Sequence, residues 1–187
     1  IAAGLGVARA DSSRTPVVMM GDGSYLMMHT ELVTAVAEGL KFIVVLVQNH
    51  GFASIGHLSE DIGSQRFGTK YRFRDKKRNN HETGDVLPVD LATNAESLGM
   101  HVIRIAETPN AIADLSAAMK VAKAHPTATL IHINSDPLLY APGGEAWWEV
   151  PIPAVSTLES TQKAYAHYSE ARKAQKKYLG KGSSERN

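Results

Sequence analysis

The sequence predicts an α/β protein: a three-layer α/β/α sandwich around a mainly parallel sheet, followed by a C-terminal extension and helix. Three observations predict it. Short, unbroken apolar runs such as PVVMM and FIVVLV have the pattern of strands buried on both faces. Segments with helical spacing separate these runs, and strands alternating with helices imply right-handed crossovers into a parallel sheet. Two of the apolar runs lead into a glycine and oxygen-bearing side chains, Gly21-Asp22 and Gln48-Asn49-His50-Gly51, at the strand ends where such sheets bind ligands.

IAAGLGVARA reads as the last turns of a helix, and with Ile1 in front it suggests a truncated or processed chain. Pro16 to Met20 is the first strand. Leu32, Val36 and Leu40 then form one helical stripe that ends near Gly39. Phe42 to Val47 is the second strand. Residues 57 to 89 contain no convincing long element, and YRFRDKKRNNHETGD reads as an exposed turn or mobile loop. Asp90 is placed to N-cap a helix running to Leu98, and His101 to Ile105 forms the third strand. Thr108-Pro109 pairs an N-cap residue with proline at the first helical position, opening a helix that stops at His125-Pro126. Thr129 to Ile133 is the fourth strand. After Asp136, PGGEAWWEVPIP is extended, and a Lys-rich helix from about Leu158 to Leu179 shows a thin apolar stripe of Leu158, Tyr165, Tyr168 and Leu179. The division is a domain over 1–136 and an extension over 137–187.

At 187 residues and 43% hydrophobic, the chain can bury a real core. Its net charge of +1, from 20 basic and 19 acidic residues, gives no global field for nucleic acid or membrane. The absence of cysteine removes disulfides, thiolate metal sites and thiol nucleophiles, and a reducing cytoplasm fits. No apolar run approaches the roughly 18 residues of a membrane span, so the chain reads as soluble.

Glycines on both sides of Asp22 allow a sharp turn and a close approach by a ligand. The Ser24 hydroxyl and the following helix amides suit an anion. A carboxylate beside a phosphate requires a cation between them, and Mg²⁺ accepts carboxylate, amide and carbonyl oxygens while keeping phosphate oxygens in its other positions. Asn49 can offer the amide oxygen and Gly51 the carbonyl. G-x-G-x-x-G is not met, because Gly4 and Gly6 are followed by Arg9, and no P-loop motif occurs.

Gly21-Asp22-Gly23, with Asn49 27 residues after the aspartate and Gly51 two further on, resembles the diphosphate motif of thiamine diphosphate enzymes. The resemblance implies thiamine diphosphate and Mg²⁺ as cofactors. It implies Asp22, Asn49 and the Gly51 carbonyl as metal ligands, and Gly21, Asp22, Gly23, Ser24, Asn49, Gly51 and Phe52 around the cofactor. Gln48 replaces the family's first asparagine. GDGSYLMMHTELVTA, Phe67-Gly68-Thr69, LPVDLATNAESLGM and Trp147-Trp148 are similar to the trihydroxycyclohexane-dione hydrolases of inositol catabolism, more than to acetolactate synthases or simple decarboxylases.

That likeness implies a carbon–carbon bond hydrolase acting on a small cyclic dione and a homo-oligomer at full length; the balanced charge and short apolar runs add the expectation of no nucleic-acid or membrane partner. It also implies that the activating glutamate comes from a pyrimidine-binding domain of the same enzyme or a neighbouring subunit. No catalytic residue is then assigned in this chain, which alone should hold half a cofactor site. The alternatives are an acetolactate synthase-like or decarboxylase-type domain, or a non-catalytic binding or assembly subunit. His29, His50 and His57 are candidates to poise protons. The Lys70–Arg78 cluster reads as a solvated loop more than a phosphate grip, and Trp147 and Trp148 as tail anchors more than a cover for the site. Asp22→Ala is expected to abolish metal-dependent cofactor binding and leave the fold intact.

Overall fold

A computed structural model describes residues 1–139 and 150–175. The elements in chain order are α1 (Ala2–Ala10), β1 (Val17–Gly21), α2 (Asp22–Met28), α3 (Glu31–Ala37), β2 (Ile43–Gln48), α4 (Ala53–Asp61), α5 (Leu91–Ser97), β3 (His101–Ile105), α6 (Ala111–Ala124), β4 (Thr129–Asn134) and α7 (Glu159–Ala174). The described residues fall into two compact units, one of 1–54 and 67–139, the other of 55–66 and 150–175.

In the first unit the strands pair in the order β1-β2-β4-β3, all parallel. The strand period of two divides the core. Val44, Leu46 and Leu130 pack with Ala8, Tyr25, Leu32, Ala35, Leu91 and Ala95 on one face, while Ile43, Val45 and Ile131 meet Ala118 and Ala122 of α6 on the other. Each face is covered by helices, so the apolar run of β2 is buried on both sides, as expected of a central parallel strand. Burying each such Val, Leu or Ile side chain contributes about 1.5–3 kcal/mol.

The helical stripe expected on Leu32, Val36 and Leu40 falls on α3 and, for Leu40, just beyond its end, and a separate short helix, α2, precedes it across a turn in which Leu32 N–H donates to the His29 carbonyl (3.0 Å). Only part of the expected stripe is inward: Leu32 and Ala35 are buried, but Val36 is 40% exposed. Gly39 ends α3 with φ +61, while its N–H reaches Val36 and that of Leu40 reaches Ala35, a Schellman closure. Gly99 closes α5 in the same way, at φ +92, with N–H bonds from Gly99 to Glu96 and from Met100 to Ala95. At the start of α5, Asp90 Oδ1 accepts from Thr93 N–H (2.8 Å), as expected, and these Thr93 bonds hold its carboxyl below the usual range.

Thr108 does not cap α6. Its hydroxyl accepts from Asn110 N–H (3.2 Å) and its carbonyl from Ala111 N–H (3.1 Å), closing a turn that contains Pro109, so the helix begins two residues later than expected with Asn110 as N-cap.

Between residues 57 and 89, where no long element was expected, α4 enters from Ala53 and runs to Asp61. Beyond it, single antiparallel bridges at Gly51–Lys70, Arg72–Val86 and Asp75–Asn80 organise the chain. Asp75 accepts from the N–H groups of Lys77 (2.9 Å) and Arg78 (3.1 Å) and from the Thr83 hydroxyl (2.7 Å). Within the Lys70–Arg78 cluster, Lys70 pairs with Glu82 (2.9 Å) and Arg72 donates to the Gly84 carbonyl, so much of its capacity is used internally.

In the second unit, Gly63 at φ +79 presents its carbonyl to the hydroxyls of Ser160 (2.6 Å) and Thr161 (2.8 Å) on α7. Tyr168 is buried there and Tyr165 is 38% exposed. Leu179, Trp147, Trp148 and most of PGGEAWWEVPIP lie outside the described residues. No helix among the described residues is long and apolar enough to cross a membrane.

Candidate functional site

Parallel pairing of β1 with β2, in register at Gly21 and Val47, brings the two glycine-marked strand ends side by side. Gly21 ends β1 and is the N-cap of α2. Asp22 opens that helix and is 1% exposed. Its Oδ1 accepts from Gly23 N–H (2.9 Å), and its Oδ2 accepts from the N–H groups of Asn49 (3.2 Å) and Gly51 (3.1 Å). A buried carboxylate with backbone donors on both oxygens is a fixed group. His50 makes the double contact from one loop feasible: with φ +57, rare outside glycine, it turns the chain so that the N–H groups on both sides of it reach one oxygen.

The Asn49 amide lies 3.2 Å from Asp22 Oδ1 and 2.8 Å from the Gly51 carbonyl oxygen, with its oxygen end turned to both. In this orientation of the amide, three oxygens converge with no hydrogen between them. Turned over, the amide would donate to both neighbours. With the oxygen inward, a cation satisfies the set: Mg²⁺ binds oxygen at roughly 2.0–2.1 Å in an octahedron, so adjacent ligand oxygens lie about 2.9 Å apart. The two separations fit that spacing, and carboxylate, amide and carbonyl are the oxygens a hard cation takes. Among the described residues no group of three or more His, Cys, Asp or Glu side chains gathers as a metal site.

The glycines are required by space. A Cβ on Gly23 would lie 2.5 Å from the Phe52 ring, and one on Gly51 would lie 2.1 Å from the Thr69 carbonyl oxygen. The Phe52 ring thus covers the Gly23 turn. Thr69 accepts from Phe52 N–H (2.7 Å) and Tyr71 N–H donates to the His50 carbonyl (2.9 Å), so the segment after Phe67-Gly68 backs the loop that carries Asn49 and Gly51. Burial, and then the Asp22 charge, pushes the Tyr71 phenol up to about 12. Ser24 is exposed on the first turn of α2, and the Gly23 amide, expected to be available to an anion, is engaged by Asp22.

Gln48 turns inward, 2% exposed. Its Nε2 donates to the Val89 carbonyl (2.9 Å), and its Oε1 accepts from His132 Nε2 (2.9 Å). His132 was not among the sequence candidates; the signal was a histidine inside the apolar strand TLIHI. Burial, the dominant effect, holds its imidazole below the ordinary value. Of the three histidines proposed from the sequence, His50 lies in the loop, His29 stacks on Tyr25 (5.3 Å), and His57 sits on α4 in the second unit, 3.6 Å from Asp61.

Residues 1–133 match the family model described as thiamine pyrophosphate enzyme, C-terminal TPP binding domain. The chain belongs to this family. It is 35% identical over 178 residues to a 3D-(3,5/4)-trihydroxycyclohexane-1,2-dione hydrolase of Clostridium botulinum, covering 95% of this chain and 27% of that protein. It is 34% identical over 178 residues to the enzyme of that name from Geobacillus thermodenitrificans, again covering 95% and 27%. The chain therefore spans about a quarter of the length of the curated relatives it matches. Among solved structures, it superposes on a benzoylformate decarboxylase from Polynucleobacter necessarius with a TM-score of 0.56 at 20% identity, covering 74% of this chain and 23% of that one. A thiamine diphosphate-dependent 4-hydroxybenzoylformate decarboxylase of Rhodococcus jostii gives 0.55 at 22% identity, covering 72% and 22%. These two share the fold. The thiamine pyrophosphate-binding domain is thus an α/β domain whose parallel sheet carries Asp22 and Asn49 at its carboxyl edge.

Proposed function

We propose that this chain holds the diphosphate of thiamine diphosphate through Mg²⁺ liganded by Asp22, Asn49 and the Gly51 carbonyl. We further propose that it serves as the C-terminal domain of a hydrolase acting on a carbon–carbon bond of a hydroxylated cyclic dione. The observation that supports the metal site is the convergence of the Asp22 carboxylate, the Asn49 amide and the Gly51 carbonyl at 2.8 and 3.2 Å. The hydrolase reading is supported by relatives of that name matching 95% of the chain.

When bound, the cofactor supplies the means of breaking a bond next to a carbonyl. The residues of this chain bind and orient. Asp22 brings the negative charge that the metal requires and, held by three N–H groups, keeps one geometry. Gly21, Gly23 and Ser24 line the approach to the diphosphate, and the Phe52 ring closes over the Gly23 turn. The group that activates the cofactor belongs in this reading to another domain or a neighbouring subunit, in a cytoplasmic homo-oligomer.

Calorimetric titration of thiamine diphosphate into the chain, with Mg²⁺ and then with EDTA, tests the site. Binding that requires Mg²⁺ is expected. Equal binding in both buffers would refute the metal ligands.

A further inference from the structure

A buried hydroxyl without a hydrogen-bond partner is rare in a folded protein and asks for a reason. The Tyr71 hydroxyl is one: it is buried and has no partner among the described residues. The residue around it is firmly placed. Its N–H donates to the His50 carbonyl (2.9 Å) and its carbonyl accepts from Leu87 N–H (2.9 Å). Its ring meets the Phe52 ring edge to face, with centroids 6.0 Å apart at 85°. Phe52 is in turn the ring that covers the Gly23 turn. Tyr71 is thus tied to the Asn49–Gly51 loop by its backbone and to the Gly23 turn through Phe52, and its phenol feels the Asp22 charge.

The acceptors beside it already have donors. Asp22 Oδ1 accepts from Gly23 N–H, and Oδ2 from the N–H groups of Asn49 and Gly51. The His50 carbonyl accepts from the N–H of Tyr71 itself, and the Thr69 carbonyl from Phe52 N–H. Burial, with the Asp22 charge, pushes the phenol up to about 12, so at neutral pH it keeps its proton and is a donor. Two other buried oxygens without partners, on Glu82 and Asn134, belong to a carboxylate and an amide carbonyl and offer no hydrogen to an anion. Tyr71 is therefore a fixed, buried O–H donor at the edge of the proposed metal site, and it lacks an acceptor.

A diphosphate supplies acceptors of the right kind. Its oxygens are anionic, and a hydrogen bond to an ionised acceptor is roughly twice as strong as one between neutral groups. A donor whose ring and backbone are already held has little freedom to lose when it makes that bond.

We infer that Tyr71 is a further binding residue of this site, its hydroxyl donating to a phosphate oxygen of the magnesium-bound diphosphate. This rests on the reading of Asp22, Asn49 and Gly51 as a metal–diphosphate site, and it is independent of the organic group that the diphosphate carries.

The test is calorimetric titration of inorganic pyrophosphate, and separately of thiamine diphosphate, into the wild-type and Tyr71→Phe chains in excess Mg²⁺, beside thermal unfolding of both proteins without ligand. Phenylalanine keeps the ring against Phe52 and removes only the hydroxyl. The variant should bind both diphosphates at least about tenfold more weakly, as the loss of a hydrogen bond to a charged group does. Its ligand-free melting temperature should equal or exceed that of wild type, because the hydroxyl removed had no partner. Equal affinities in the two proteins would overturn the proposal and leave the cofactor reading standing. A ligand-free variant less stable than wild type would also overturn it, since the hydroxyl would then serve the fold. Pyrophosphate binding weakened in the variant, with no binding of thiamine diphosphate to either protein, would support the proposal and overturn the cofactor reading alone. No binding of either diphosphate to wild type would overturn both.

Discussion

Asp22→Ala separates two roles that the sequence merges. Read from the sequence, Asp22 sits at a strand end and its loss should spare the fold. In the structure it is 1% exposed and accepts the N–H groups of Gly23, Asn49 and Gly51. Alanine leaves three donors without an acceptor; at about 1–3 kcal/mol each, reduced where water enters the space, the expected loss is about 3–5 kcal/mol. Asp22→Asn keeps one oxygen, enough for the two donors of the Asn49–Gly51 loop, and strands only the Gly23 N–H, so it should cost about 1–2 kcal/mol. Both remove the charge that a Mg²⁺ site needs. The assay is urea unfolding of the three proteins beside calorimetry with thiamine diphosphate and Mg²⁺. The expected stability order is wild type, Asn, Ala, with metal-dependent binding lost in both variants. An alanine variant within about 1 kcal/mol of wild type would refute the bracing role. Unchanged Mg²⁺-dependent binding by the asparagine variant would refute the ligand role.

Burial lowers the pKa of both His132 and His101, and His101 also stacks on His125 at 4.0 Å. The unfolded chain therefore binds more protons between the lowered folded values and about 6.5, so this contribution is full above about 6.5 and lost as pH falls below it. Urea midpoints from pH 7.5 to 5 should decline, and less steeply in a His101→Gln variant. Gly39 and Gly99 both have positive φ, but a Cβ on Gly39 meets nothing within 4 Å while one on Gly99 lies 3.0 Å from Val36. Alanine should cost about 1 kcal/mol at Gly39 and more at Gly99, as read from thermal unfolding. Asp90→Ala removes the N-cap of α5 and should cost about 1 kcal/mol in the same assay.

The four strands were legible because buried parallel strands are written as unbroken apolar runs, and their bounds differ from the observed ones by no more than one residue at an end: Phe42–Val47 became Ile43–Gln48. The helix after Asp22 was less so. Its stripe of Leu32, Val36 and Leu40 included Val36, which is exposed, and missed Ala35, whose methyl carries little hydrophobic signal yet is fully buried. Thr108-Pro109 had the composition of a cap but formed a turn, since a threonine hydroxyl can close either on the backbone ahead. That Asp22, Asn49 and Gly51 come together was legible because they lie at the ends of two apolar runs, β1 and β2, that pair directly. Gln48, His132 and Asn134 meet only through the β2–β4 pairing, which no spacing along the chain announces.

That pairing bears on how the loop works. The segment from Asn49 to Gly51 is held by Asp22 at its two N–H groups, by Tyr71 at the His50 carbonyl, and by the contact of Gly51 with Thr69. Gln48, immediately before it, is tied to Val89 and His132. With its backbone bonded on these sides, the loop has little freedom left to lose when a ligand arrives, which favours affinity. What remains movable is the Asn49 amide: donating to Asp22 and Gly51 in one orientation, presenting its oxygen to a cation in the other. At the proposed metal site, binding would then ask at most for a turn of this amide and for no rearrangement of the backbone. Asn49→Asp, which has no N–H to donate, should destabilise the metal-free protein, and Mg²⁺ should raise its melting temperature more than that of wild type. An equal rise in both would place the cation elsewhere.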